Sequence, residues 1–142
     1  MVKSLSLSAA QHRQIVDHAC AGLPNEICGV IGGWQMVARM VIPLPNVAHE
    51  PRSRYQVDPA AFISAYRQLE QAGTEVIGLY HSHPSGSPIP SAVDIAEATW
   101  PEATYVIVGF AENQADSNPL PMVAAWSIRG GMVSPIALIV TD

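Results

Sequence analysis

The stretch Val76-Ile-Gly-Leu-Tyr-His-Ser-His-Pro-Ser-Gly-Ser-Pro-Ile-Pro-Ser-Ala-Val-Asp94 decides the reading of this chain. Val76 to Tyr80 is an apolar run suited to a short buried strand, and it delivers His81 and His83 at its end. Side chains along a strand alternate faces, so two histidines at i and i+2 point the same way. A loop rich in Pro, Gly and Ser follows. Ser91-Ala-Val-Asp94 then reads as a helix start, with Ser91 as N-cap and Asp94 at N3. The loop therefore folds a carboxylate back towards two imidazoles. Two nitrogen ligands, one oxygen ligand and a fourth position left to water make up the composition of a catalytic zinc site.

Each part has a plainer role when taken alone. A histidine at a strand end is most often a satisfied polar residue, and Ser-x-x-Asp is most often only a cap. The conjunction is what carries weight. Three ligand-type residues fall in one 14-residue window beside an uncharged strand.

The bulk properties set the frame. A chain of 142 residues predicts one domain, 1–142, with a sizeable core. With 49% hydrophobic and 13% charged residues it is not a disordered chain. The net charge is −5 and no Lys/Arg cluster occurs, which speaks against nucleic acid as a partner. Met1 to Ser8 is too short and polar for a signal peptide. The uncharged run from Gly130 to Thr141 is well below the ~20 residues needed to span a bilayer, so no membrane role is expected. Cys20 and Cys28 form neither a disulfide framework nor a CxxC motif, and the expected location is the cytoplasm.

In chain order, Ser8-Ala-Ala-Gln11 is a capping-box pattern, and Ile15, Val16, Ala19 and Cys20 share one helical face up to Gly22 and Pro24. Asn25 to Gly33 predicts a strand with Glu26 at its mouth. Gly32-Gly33 then predicts a hairpin turn into a second strand from Trp34 to about Leu44. Pro45 to Ser53 reads as an ordered loop and Tyr55 to Val57 as a short strand. Asp58-Pro59 opens a helix carrying Phe62, Ile63, Tyr66 and Leu69, ended by Gly73. Beyond the central stretch, Thr104 to Ala111 is β-rich and Glu112 to Pro119 is a polar loop. Pro121 to Ile128 and Met132 to Val140 form two strands joined through Gly130-Gly131. The order helix, β, β, α, β, α, β, β, β predicts an α/β fold, a mixed sheet with helices packed on it.

Hydrolysis at such a zinc site needs a base for the water proton and a donor for the developing oxyanion. Chain position alone does not single out the base. Glu26 is the best local candidate, because its uncharged surroundings would raise its pKa. Ser91 can cap its helix through a lone pair and still donate its proton. Trp34, Trp100 and Trp126 suit either core or interface, with core favoured. The Ser85 to Pro90 loop suits either a mobile lid or a Pro-braced turn.

Glu26, the long gap, His81-Ser-His83-Pro, and Asp94 with Ser91 three residues before it resemble the JAMM (MPN-plus) metalloprotease family, in its small prokaryotic form. Pro24-Asn-Glu-Ile-Cys-Gly-Val-Ile-Gly32 is similar to the segment around that family's glutamate. The resemblance implies a fold like that of cytidine deaminases and one Zn²⁺ per chain, held by His81, His83, Asp94 and a water. It further implies Glu26 as general acid/base and Ser91 as an oxyanion donor, with Ser82 structural and Cys28 a packing residue. The implied substrate is a ubiquitin-like or sulfur-carrier protein, cut at an amide bond of its C-terminal tail. Two alternatives are a catalytically inactive MPN scaffold module and a zinc amidohydrolase acting on small molecules. A zinc deaminase would need His-x-Glu and Pro-Cys-x-x-Cys, and neither occurs.

Overall fold

The computed structural model of the chain describes residues 3–110 and 120–142. In chain order its elements are β1 (Ser4–Ser8), α1 (Ala9–Gly22), β2 (Cys28–Trp34), β3 (Val37–Leu44), α2 (Pro59–Gln71), β4 (Glu75–His83), α3 (Ala92–Glu97), β5 (Thr104–Phe110), β6 (Pro121–Arg129) and β7 (Met132–Thr141). The strands form one sheet in the order β1-β3-β2-β4-β5-β6-β7, closed by pairing of β1 with β7. The β4–β5 pair and both pairings of β1 are parallel, while the other neighbours run antiparallel. The fold is thus α/β with a mixed sheet and helices on it, as the element order predicts.

The two faces of the sheet carry different cores. On one, α1 sets Ile15 and Ala19 against Leu5, Leu7, Ile31, Tyr80, Val106 and Val108. On the other, α2 sets Ala65 and Leu69 against Cys28, Val30 and Leu44. Cys28 is therefore a packing residue, 1% exposed, and its thiol faces the carbonyls of Leu44 and Pro45. Leu79, His81 and His83 alternate along β4 onto one face, and His81 pairs with Cys28 across β2. That places both histidines on the α2 side, at the C-terminal end of β4.

Several local expectations are corrected. Residues Ser4 to Ser8 form a strand before the first helix. The alternation Ser-Leu-Ser-Leu-Ser buries Leu5 and Leu7 completely, and Ser8 then caps α1 with the expected capping box. The hairpin turn is at Gln35-Met36, both at positive φ (49° and 66°), and Gly32-Gly33 lie inside β2. A side chain at Gly32 would collide with Leu69 of α2, so that glycine serves close packing rather than a turn. Tyr55 to Val57 is not a strand and makes one isolated bridge, Asn46 to Val57. On α2 the inward face is Ala61, Phe62, Ala65 and Leu69, leaving Ile63 and Tyr66 exposed. Trp34 is exposed, with its indole N–H donating to the Gly73 carbonyl, so it is not a core residue. Trp100 and Trp126 are half-buried. The expected polar loop at 112–119 lies outside the described residues.

Candidate metal centre and catalytic cleft

Strand β4 ends with His81 fully buried and His83 partly open to solvent. Between them Ser82 is completely buried and faces the other way. Its Oγ accepts the Ile27 N–H at 2.9 Å and its N–H donates to the Ile27 carbonyl at 3.1 Å. These bonds tie the histidine strand end to the residue beside Glu26, so the spacing of acid and imidazoles is fixed by backbone.

The loop after His83 is braced rather than free. The His83 Nδ1–H donates to the Ser87 carbonyl at 2.8 Å, the Phe110 N–H to the Gly86 carbonyl at 2.8 Å, and the Trp126 indole N–H to the Pro88 carbonyl at 2.8 Å. A side chain at Gly109 would strike Gly86 and Pro88 backbone atoms, so the absence of a Cβ there lets the loop lie on β5.

Helix α3 opens with both halves of a capping box. Ser91 Oγ accepts the Asp94 N–H at 3.1 Å, and Asp94 Oδ2 accepts the Ser91 N–H at 2.9 Å. Asp94 Oδ2 also lies 3.0 Å from His83 Nε2, and Oδ1 lies 3.2 Å from His81 Nε2. The two Nε2 atoms are 3.2 Å apart. Because His83 Nδ1 carries the proton given to Ser87, its Nε2 in the neutral ring is a bare lone pair aimed at the other two groups. Two ring nitrogens and a carboxylate converging on one point could hold a cation between them.

Zinc–ligand bonds of about 2.0–2.1 Å in tetrahedral geometry put ligand atoms about 3.3 Å apart, close to the separations observed. His81, His83 and Asp94 are, among the described residues, the one group suited to a metal. Burial pushes the His81 pKa down despite Asp94, which keeps the ring neutral and ligand-competent. His83 is also penalised by burial, but its bonds to Asp94 and Ser87 outweigh that and raise its pKa. For Asp94 burial works upward, and the two imidazoles and the Ser91 N–H hold it well below the usual carboxylate range.

Glu26, Ser91 and Asp94 line one cleft of about 170 Å³ together with Ser53, Arg54 and Tyr55. Glu26 is 8% exposed, and desolvation raises its carboxyl pKa to about 7 against the lowering pull of His83 and Arg54. All five residues expected at the site thus meet at one end of the fold.

Two further residues had no signal in the sequence. Asn46 donates from Nδ2 to the Glu26 and Arg54 carbonyls at 2.9 and 3.1 Å, and its Oδ1 accepts the Ala48 and Gln56 N–H groups. With the Glu26 N–H on the Pro51 carbonyl, it anchors the 45–57 loop to the acid. Tyr55 stacks on His81 with ring centroids 4.5 Å apart and planes at 26°.

The family model for prokaryotic homologues of the JAB domain matches residues 8–127. The chain belongs to this family. Among curated relatives, it is 43% identical over 110 residues to a desampylase of Haloferax volcanii, covering 72% of this chain and 78% of the relative. It is 34% identical over 96 residues to a CysO-cysteine peptidase of Mycobacterium tuberculosis, covering 66% of this chain and 65%, just under two thirds, of that protein. A solution structure of a Desulfitobacterium hafniense protein superposes with a TM-score of 0.83 at 27% identity over 97% of this chain and 93% of that one. A structure described as a JAMM metalloprotease-like zinc site of the proteasome and signalosome shares the fold, with a TM-score of 0.55 at 20% identity over 98% of this chain and 99% of the other. Family and relatives together place this JAB-family chain among the peptidases. Among the described residues no helix is long and apolar enough to cross a membrane.

Proposed function

We propose that the whole chain, 1–142, is a single metallopeptidase domain of the cytoplasm that hydrolyses an amide bond at the C-terminal tail of a ubiquitin-like or sulfur-carrier protein. The observation that carries this reading is the convergence of His81, His83 and Asp94 beside a cleft that also holds Glu26. His81 Nε2, His83 Nε2 and one Asp94 oxygen would hold a single zinc ion. When bound, zinc supplies Lewis-acid polarisation of the scissile carbonyl and a lowered pKa for a water.

The protein groups perform the remaining tasks. Glu26, with a pKa near neutrality, takes the proton from the attacking water and passes it to the leaving nitrogen. Ser91 uses a lone pair for the Asp94 N–H, so its exposed hydroxyl proton is available to the carbonyl oxygen as charge develops. Ser82, Asn46 and Ser87 hold the acid and one imidazole in place, so little ordering remains to be done in the transition state.

The relatives named a desampylase and a CysO-cysteine peptidase support the substrate class. An extended Gly-Gly tail, with no side chains beyond hydrogen, would fit a cleft of this size. The test is metal content of the purified protein and of Asp94→Ala, together with cleavage of a carrier protein extended past its Gly-Gly end. About one zinc per chain, lost in the variant along with cleavage, is the expected result. No zinc after reconstitution would leave the scaffold reading in its place. Zinc with cleavage of small amides alone would point to the amidohydrolase.

A further inference from the structure

The two imidazoles that converge with Asp94 are held in different ways. His83 donates its Nδ1–H to the Ser87 carbonyl at 2.8 Å, and that bond fixes both the tautomer and the turn of the ring. For His81, every hydrogen-bonding contact with the described residues is at Nε2, towards His83 and Asp94. Its neighbours across the sheet are Cys28 of β2 and Ile107 of β5, both 1% exposed or less. The torsion that turns a histidine ring is broad and roughly two-fold when nothing packs on it. Rotation about that bond would carry Nε2 away from Asp94 Oδ1 and His83 Nε2, which it meets at 3.2 Å each.

The constraint on His81 comes from a flat surface. The Tyr55 ring lies on the His81 ring with centroids 4.5 Å apart and planes at 26°, and the His83 ring meets His81 edge-on at 5.0 Å and 61°. Tyr55 lines both the catalytic cleft and a larger neighbouring cavity of about 570 Å³, so its ring also shields the His81 face from those spaces. The Tyr55 backbone is pinned in turn, because Asn46 bonds to the peptide groups on either side of it. Asn46 Nδ2 donates to the Arg54 carbonyl at 3.1 Å, and Oδ1 accepts the Gln56 N–H at 3.0 Å. The Val47 N–H donates to the Gln56 carbonyl at 2.9 Å. The Tyr55 side chain packs on the cluster of Cys28, Val30, Leu44, Ala65 and Leu69. A plane held in this way limits the rotation of the ring laid upon it.

We propose that Tyr55 is a positioning residue for the metal centre, its ring keeping the His81 imidazole turned with Nε2 towards the ion. Stacking does for His81 what the Ser87 carbonyl does for His83. The role is exerted through His81 and needs the plane of the Tyr55 ring, not its hydroxyl.

This inference rests on the metallopeptidase reading above, and the experiment separates the two. Zinc affinity is measured by chelator competition for wild type, Tyr55→Phe, Tyr55→Leu and Val57→Ala. The visible ligand-field bands of the cobalt(II)-loaded proteins are recorded alongside. Val57 is the control, since it packs on the same apolar cluster as Tyr55 and makes no ring contact with His81. Tyr55→Phe keeps the plane and should bind zinc within about twofold of wild type, with unchanged cobalt bands. Tyr55→Leu should bind zinc about 10- to 100-fold more weakly, the usual effect of losing a group that orients a metal ligand, and its cobalt bands should shift. Val57→Ala should unfold at lower urea and bind zinc as wild type does. If Tyr55→Leu does not fold, Tyr55→Met, of similar length and without a flat face, takes its place under the same expectation. Wild-type zinc affinity in the Leu or Met variant, or an equal loss in Val57→Ala, would overturn the role of the ring and leave the metallopeptidase standing. A wild-type protein that takes up no zinc would overturn the metallopeptidase reading itself.

Discussion

Replacing Glu26 by Gln tests both the electrostatics of the cleft and the role of the acid. In the metal-free protein, burial raises this carboxyl from 4.5 to about 7. Below pH 4.5 the group is protonated in folded and unfolded chains alike and contributes nothing. Between 4.5 and 7 the unfolded chain releases the proton while the folded chain keeps it, so folding stability falls as pH rises. Above about 7 the folded state carries the buried charge and the full penalty is present. The difference corresponds to at most about 3.4 kcal/mol at 1.36 kcal/mol per pK unit. Solvent at the cleft mouth screens this to about 2 kcal/mol.

Glu26→Gln has nearly the same shape and no titration. Urea denaturation after chelation, at pH 4.5 and pH 8, gives the variant's stability relative to wild type at each pH. That advantage should grow by about 2 kcal/mol from the lower to the higher pH. Taking the change with pH removes whatever the amide gains or loses by its own hydrogen bonds. A constant advantage, or one that shrinks at pH 8, would refute the claim that Glu26 sits desolvated at neutral pH. The zinc-loaded variant should bind metal as wild type does and lose activity by about 10²- to 10⁴-fold, the usual contribution of a positioned general base.

Other perturbations address the supports. Asp94→Asn keeps an oxygen for the Ser91 N–H, so α3 should stay capped while zinc affinity, measured by chelator competition, drops at least about tenfold. Asn46→Ala removes four hydrogen bonds, one to the Glu26 carbonyl and three within the 45–57 loop, and should cost about 2–3 kcal/mol in urea denaturation with a lower kcat. Gly109→Ala forces the 85–90 loop off β5. By moving the Ser87 carbonyl from His83 it should weaken zinc binding in the same chelator assay, while far-UV dichroism stays native.

The proposed metal ligands were legible because their geometry is local. His81 and His83 share a face through the two-residue period of a strand, and Ser91 and Asp94 meet through one turn of helix. Neither depends on the rest of the fold. The hairpin turn misled for the opposite reason. Gly32-Gly33 has the composition of a tight turn, but Gly32 answers to Leu69, which is 37 residues away, Gly33 answers to the Val37 backbone and Ile77, and the turn itself uses Gln35 and Met36. β1 carried a readable alternation, Ser4-Leu-Ser-Leu-Ser8, that is short and polar enough to pass as a leader to the helix.

Glu26 stands between these cases. Nothing within a few residues of it points to His81, and its partnership is made by two bonds between Ile27 and Ser82, 55 residues apart. A parallel argument holds for Asn46, Arg54 and Tyr55. The 45–57 loop has no hydrophobic period: Tyr55 and Val57 alone pack on a core cluster, while Asn46, Arg54 and Tyr55 answer to the carbonyl of Glu26, the carboxylate of Glu97 and the ring of His81. Such a loop is silent to periodicity because its order comes from polar contacts with residues distant in the chain. The consequence is functional. On the proposed function, the strands and α3 would supply the chemistry common to any amide bond, while this loop, bordering both the cleft and the neighbouring cavity, would bear on which amide bond is presented.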